Sequence, residues 1–567
     1  MKREHMIGRP VRVMLAALLF LWHPDAFTQN SGFVTTNGRH LVLNARNFYV
    51  HGTNQYYFFF ASTSMVDEVL QDASALGSNV VRTWAFCDGA GRDGHCFQTQ
   101  PRVYDEATFR KLDYVIYKAN QLDLRLILPL VNNWDQFGGM NQYVAWCGSS
   151  AGHDDFYRNA CTKALYQDYV RHVLTRVNTY TGIAYKDDPT IMVWELANEP
   201  RCESDATGTT LLAWVDEMAA FVKSVDPNHL VATGEEGWYT NKGTDWRHNG
   251  FSGVDFLRNS QSASVDVASF HLYPQANGMD EAGALSWIGE HVADAHQVIN
   301  KPLYAGEFGW QVPRDIVGDF ATGTETWKVD WGYGASSPQR VDSPSQNGNG
   351  AIVYTPAPAL PAGSSAAGER QFAGSGIDVR NVNTLTGWVL IPTTAPPTLR
   401  AVLYTKSGAS WTWREGNAVP LARGSWTQVT LPVSNVYQPD QVRSVGIKLF
   451  NNGNTEYAGP VHYDFVASAS TAAGQTMADR NRIYGDWYNR LNTTDIDGAL
   501  FWSLVGHQDD TTLFPNFDQY AVYYPEDAGT ASVMQSYSAT VSTKNALPPV
   551  DQFPAVSIQA PTPGAAV

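Results

Sequence analysis

Eight short apolar runs, each closing on polar residues and separated by stretches of helical spacing, predict an α/β chain built as a (β/α)8 TIM barrel. Between the seventh and eighth runs, from about Asp319 to Ala469, helical periodicity disappears and Gly, Pro and Ser rise. That change predicts a jelly-roll β-sandwich inserted in the seventh βα loop. The 567 residues leave room for both.

The runs, in order, are FYVHGTN (48–54), NVVRTWAF (79–86), RLILPLV (125–131), IMVWELANE (191–199), LVATGEEG (230–237), VASFHLYP (267–274), PLYAGEFGW (302–310) and GALFWSLVG (498–506). Near-continuous apolar residues suit parallel strands covered on both faces. Between them lie amphipathic segments such as 64–77 and 106–122; in the second, Phe109, Leu112, Val115, Ile116 and Ala119 recur at helical spacing. Sites on such barrels form at the C-terminal strand ends, and every run here ends in polar or aromatic residues there.

The intervening segment reads as nine short strands separated by turn signals, and MADRNRIYGDWYNRLN (477–492) then supplies a seventh helix. The barrel lacks a strand and a helix without the residues after 470, so the sandwich is read as an insertion. The expected division is 29–318 for strands one to seven, 319–469 for the sandwich, 470–546 for the rest of the barrel and 547–567 for a linker or tail.

At the start, Lys2, Arg3, Arg9 and Arg12 precede the apolar run 13–22, the pattern of an export signal over 1–28. The run is too short to span a bilayer, so a secreted, extracellular protein without a membrane association is expected. Five cysteines suit an oxidising compartment; Cys87 with Cys96 and Cys147 with Cys161 are the expected local pairs, leaving Cys202 free. No spacing resembles a zinc site. A net charge of −16 argues against nucleic acid, whose phosphates repel such a surface. The 18 Trp offer flat faces for sugar rings as well as core volume. A monomer is expected.

Two strand ends carry the chemistry. IMVWELANEP stops on Asn198-Glu199-Pro200, and KPLYAGEFGW delivers Glu307. Two carboxyl groups on strand ends of one barrel are what glycosidic bond cleavage needs, one as acid/base and one as nucleophile.

With these two glutamates the chain resembles glycoside hydrolase family 5, and within it the endo-β-1,4-mannanases. The likeness covers about 30–315 and 475–545. It is carried by YVHGTNQYYF, NVVRTWAF, LVNNWDQFGGMNQYVAWCG, RVNTYTGIAYKDDPTIMVWELANEPR, HLVATGEEG and SFHLYP. The insertion departs from that pattern. The resemblance implies a retaining hydrolase of β-mannan, glucomannan or galactomannan, with Glu199 as acid/base and Glu307 as nucleophile. Arg82 would keep Glu307 ionised, Tyr273 would donate to it, and His271 would orient the acid/base. Asn198 matches the family residue that bonds the sugar 2-hydroxyl, Trp502 resembles the floor of the same subsite, Trp84 and Trp134 resemble walls of neighbouring subsites, and Arg201 resembles a contact on the leaving-group side. Glu235 and Glu236 are read as supporting hydrogen-bond partners. A β-1,4-glucanase, an exo-acting β-mannosidase and a noncatalytic polysaccharide-binding protein are the alternatives.

The insertion resembles jelly-roll carbohydrate-binding modules, through DFATGTETW and VHYDFV. Trp388, Trp411, Trp413 and Trp426 are its candidate sugar platforms, two or more of them expected in the core. Some such modules hold a structural calcium, for which Asp464 would be the ligand here. No other cofactor and no catalytic metal are expected.

Overall fold

The computed structural model describes residues 32–547, apart from 321–322, 347–349 and 471. The expected signal at 1–28 and all but Leu547 of the expected tail lie outside the described residues. Among the described residues no helix is long and apolar enough to cross a membrane.

Val50–Gln55, Val80–Thr83, Arg125–Pro129, Ile191–Glu195, Leu230–Ala232, Ala268–Leu272, Leu303–Phe308 and Gly498–Phe501 form one parallel sheet. Numbered along the chain as barrel strands one to eight, their spatial order is five, four, three, two, one, eight, seven, six. The amides of Asp266 and Val267 donate to the Val231 carbonyl, bringing strand six against strand five and nearly closing the barrel. Strand eight joins strand one at Gly498, where φ is +138° and a Cβ would lie 2.0 Å from the Val50 oxygen. Only glycine allows that approach.

Alternation within the strands decides where their side chains go. Val50, Val80, Ile127, Val193, Tyr304 and Leu500 fill the barrel interior, while Val81, Leu126, Leu128, Trp194 and Val231 face outward into the helical layer. Helices Thr63–Ala75, Glu106–Gln121 and Glu281–Asp294 start on Ser62, Asp105 and Asp280, each accepting from a first-turn amide. Helix Met477–Thr493 starts on a capping box between Thr476 and Asp479.

Between barrel strands seven and eight lie two packed antiparallel sheets. In one, Val461–Ala469 runs between Ala351–Tyr354 and Thr384–Leu390; in the other, Val442–Asn451 runs between Ser365–Gln371 and Leu399–Ser407. Leu385, Val389, Leu403, Ile447 and Val466 fill the space between them. The first sandwich strand is Arg314–Gly318, ahead of the boundary expected at 319, and it pairs with Val461–Ala469. The chain therefore enters and leaves the sandwich side by side, and the Ser470 amide donates to the Pro313 carbonyl at 2.9 Å.

Disulfides join Cys87 to Cys96 and Cys147 to Cys161, and Cys202 is free and buried.

Candidate active site

Arg82 organises the strand ends. Its side chain is fully buried inside strand two, and a buried guanidinium must have its charge and its donors answered. Nε donates to Glu195 Oε2 at 2.7 Å, and Nη1 donates to Asn54 Oδ1 at 3.1 Å and to Glu307 Oε1 at 2.5 Å. Nη2 donates to Asn198 Oδ1 at 2.8 Å. Its guanidinium carbon lies 5.0 Å from the Trp84 ring centroid. One cation thus ties together strands one, two, four and seven.

Glu307 is held from a second side by the Tyr273 hydroxyl, which donates to Oε2 at 2.5 Å. Glu199 lies beyond strand four with φ +52°, a left-handed conformation that a residue with a Cβ adopts only where its surroundings hold it. The Glu199 amide donates to the Gly234 carbonyl at 2.8 Å, and Trp134 Nε1 donates to Glu199 Oε2 at 2.7 Å. His271 stands between the two carboxyl groups. Its Nδ1 is 2.7 Å from Glu199 Oε1 and 3.7 Å from Glu307 Oε2. One carboxyl oxygen of each glutamate and a His271 nitrogen all lie within 4.8 Å of one another.

Burial raises Glu199, but hydrogen bonding and charge from His271, with the Trp134 donor, outweigh it and hold the carboxyl below its ordinary value. Burial holds Glu307 above its ordinary value, with the Glu199 charge adding to it, against the pull of His271, Arg82 and Tyr273. Burial lowers His271, yet the two glutamates raise it above its ordinary value. Glu199 is thus lowered and His271 raised, whereas an acid/base role for Glu199 expects its carboxyl group to be raised.

The other sequence-derived residues surround this centre. Asn198 Nδ2 donates to Asn132 Oδ1 at 3.0 Å. Trp502 donates through Nε1 to Asp518 Oδ2 at 2.6 Å and stacks on Tyr56 with an interplanar angle of 13°. Trp84 is 5% exposed and Trp134 38%, and both line the cleft. Arg201 makes a two-pronged pair with Glu236, at 2.6 and 2.7 Å, and lies over the Trp134 ring. Glu236 also accepts from Trp238, while Glu235 accepts from Thr233 and Asn259 and is pushed up to about 8 by burial.

All ten residues lie at or just behind one open cleft of about 650 Å³, whose lining comes wholly from the barrel. Sequence reasoning passes over several neighbours. Glu195 accepts from Arg82 and from the Tyr304 hydroxyl, and its signal is a lone acid inside an apolar strand. Asn54 is visible as the polar end of strand one. Phe517, Asp518 and Tyr520 come from a loop with no periodicity to mark it.

In the sandwich, the expectation that two or more candidate platforms sit in the core is overturned. Trp388, Trp413 and Trp426 are half-buried and Trp411 is 39% exposed. The core is filled instead by aliphatic residues and tyrosines together with Phe320 and Trp327. Trp413 stacks on Tyr404 at 3.7 Å and lies 5.5 Å from Trp331, a residue that its sequence context does not single out. Asp464 is buried and accepts from the Ser345 hydroxyl at 3.2 Å and the Gln346 amide at 2.5 Å.

A barrel that presents two carboxyl groups beside an aromatic cleft defines a glycosidase class of site. Residues 31–350 match the family model described as GH family 5 beta-mannosidase-like, and residues 319–464 match the mannanase, galactose-binding domain-like model. Mannan endo-1,4-beta-mannosidase 1 of Oryza sativa subsp. japonica is 40% identical over 323 residues, 53% of this chain and 74% of that protein. Mannan endo-1,4-beta-mannosidase 4 of Solanum lycopersicum is 39% identical over 325 residues, 53% of this chain and 80% of that one. The endo-beta-1,4-mannanase structure from Thermotoga petrophila aligns with a TM-score of 0.54 at 27% identity, covering 88% of this chain and 78% of that chain. The chain belongs to the beta-mannosidase-like members of glycoside hydrolase family 5.

Proposed function

We propose that this enzyme cleaves internal β-1,4-mannosidic bonds of mannan-type polysaccharides by double displacement with retention of configuration. The observation that carries the reading is the approach of Glu199 and Glu307 around His271, with carboxyl oxygens within 4.8 Å of each other. Retaining pairs stand about 5–5.5 Å apart and inverting pairs about 6.5–9.5 Å, because the latter must admit a water between carboxyl and sugar.

Glu307, held by Arg82 and Tyr273, attacks the anomeric carbon once ionised. Glu199 protonates the leaving oxygen and then takes a proton from the incoming water. Trp502 offers a stacking face beside the pair. Mannan as substrate is supported by the names of the plant relatives. Internal cleavage is supported by the open cleft, which no described residue of the sandwich lines. Export from the cell is supported by the N-terminal basic and apolar run and by the two disulfides.

Products from mannohexaose and cellohexaose, compared side by side, test this reading. Mannohexaose should be cut internally, and NMR should show the β anomer first. The α anomer would refute retention, faster cleavage of cellohexaose would refute the substrate, and release of mannose alone from one end would refute internal cleavage.

A further inference from the structure

Asp319, His507 and Glu526 meet where the chain passes from barrel to sandwich. Asp319 follows the first sandwich strand, His507 follows barrel strand eight, and Glu526 precedes the last helix, Ala528–Asn545. One ligand-type atom from each lies within 4.8 Å of the other two. The site lies apart from the cleft, and none of the three lines it.

The histidine is set as a metal ligand is set. Its Nδ1 lies 2.6 Å from Glu68 Oε1, while its Nε2 faces Asp319 Oδ2 at 3.5 Å and makes no hydrogen bond among the described residues. The His507 side chain is 6% exposed and that of Asp319 0%, so water does not freely serve either. A histidine that binds a metal through one nitrogen characteristically gives the other to a carboxylate, which fixes the ring and its tautomer. Glu325 adds a further buried carboxyl group, its Oε1 accepting the amides of Asp319, at 3.1 Å, and of Phe320. Arg370 answers Glu325 from 3.8 Å. Asp319, Glu526 and Glu68 thus surround one imidazole.

We propose that Asp319, His507 and Glu526 bind one divalent transition cation of the Zn²⁺ or Mn²⁺ class, clasping the sandwich to the barrel. Imidazole together with carboxylates suits those ions better than Ca²⁺ or Mg²⁺, which take oxygen donors.

The test uses the full chain, stripped with EDTA and titrated calorimetrically with ZnCl2, MnCl2 or CaCl2. One equivalent of Zn²⁺ or Mn²⁺ should bind per chain, raising the melting temperature, and Ca²⁺ should not substitute. Glu199→Gln/Glu307→Gln should bind equally well, which separates this site from the glutamates of the cleft. His507→Ala and Glu526→Gln should each weaken binding at least tenfold, and Glu68→Gln about tenfold, as loss of a supporting partner does. Should His507→Ala fail to fold, Co²⁺ added to the unaltered chain reports through its visible absorption, where a spectrum lacking nitrogen ligation refutes the site. No binding by the unaltered chain, binding of Ca²⁺ alone, or binding that survives both His507→Ala and Glu526→Gln would overturn the proposal.

Discussion

Nδ1 of His271 lies 2.7 Å from Oε1 of Glu199, a single hydrogen-bond contact between the imidazole and the carboxyl group. The charge on His271 lowers both Glu199 and Glu307.

Replacing His271 with glutamine should therefore move the acid limb of the pH profile of kcat/KM to higher pH. Without the imidazolium both carboxyl groups rise, and the acid limb follows ionisation of Glu307. A profile that falls in height without moving that limb would show that His271 only positions its neighbours.

The two glutamates should separate by chemical rescue. Glu199→Ala retains the nucleophile, so azide should restore turnover and leave a β-glycosyl azide on the product. Glu307→Ala should give the α-azide, because azide then attacks directly from the face that the nucleophile occupied. The β-azide from Glu307→Ala would reverse the assignment.

Arg82 should matter to the fold as much as to the reaction. Arg82→Met leaves Glu195, Glu307 and Asn198 without the donors they now share, and breaking a buried ion pair in this way costs about 3–5 kcal/mol. Thermal melts should show that loss, while Tyr273→Phe, which removes one hydrogen bond to Glu307, should melt near the unaltered protein and lose kcat. Equal melting of Arg82→Met and the unaltered chain would mean that the strand ends are held otherwise.

The barrel strands are legible in the sequence because parallel strands covered on both faces must be almost wholly apolar. The polar residues at their ends then stand out as the place where function can lie. Glu195 is not legible as part of the site, because a charge in a buried strand reads as an anomaly until its partner Arg82, far away in sequence, is seen beside it. The sandwich tryptophans are misjudged from sequence for a related reason. Strand alternation assigns each to one of two faces, but short runs among turns leave open which face is inward. Trp331 escapes notice because it joins Tyr404 and Trp413 only through the pairing of distant strands.

The sandwich itself can be removed at a defined place. Arg314 and Ala469 are partners in the antiparallel pair through which the chain enters and leaves, so a hairpin loop of about two to four residues can join them. Arg314 should be kept, since its guanidinium donates to Asp527 inside the barrel wall, where Arg480 also contacts that carboxylate at 2.9 Å. With 315–468 replaced by such a loop, the barrel should fold, because its own core is closed by barrel residues. Turnover of mannohexaose should be unchanged, since the whole cleft lining survives. Retention on insoluble mannan should fall, as the half-buried Trp331 and Trp413 leave with the sandwich. A drop in kcat/KM on the hexasaccharide would show that the sandwich shapes the cleft from outside its lining. Unchanged retention on insoluble mannan would show that it plays no part in holding substrate.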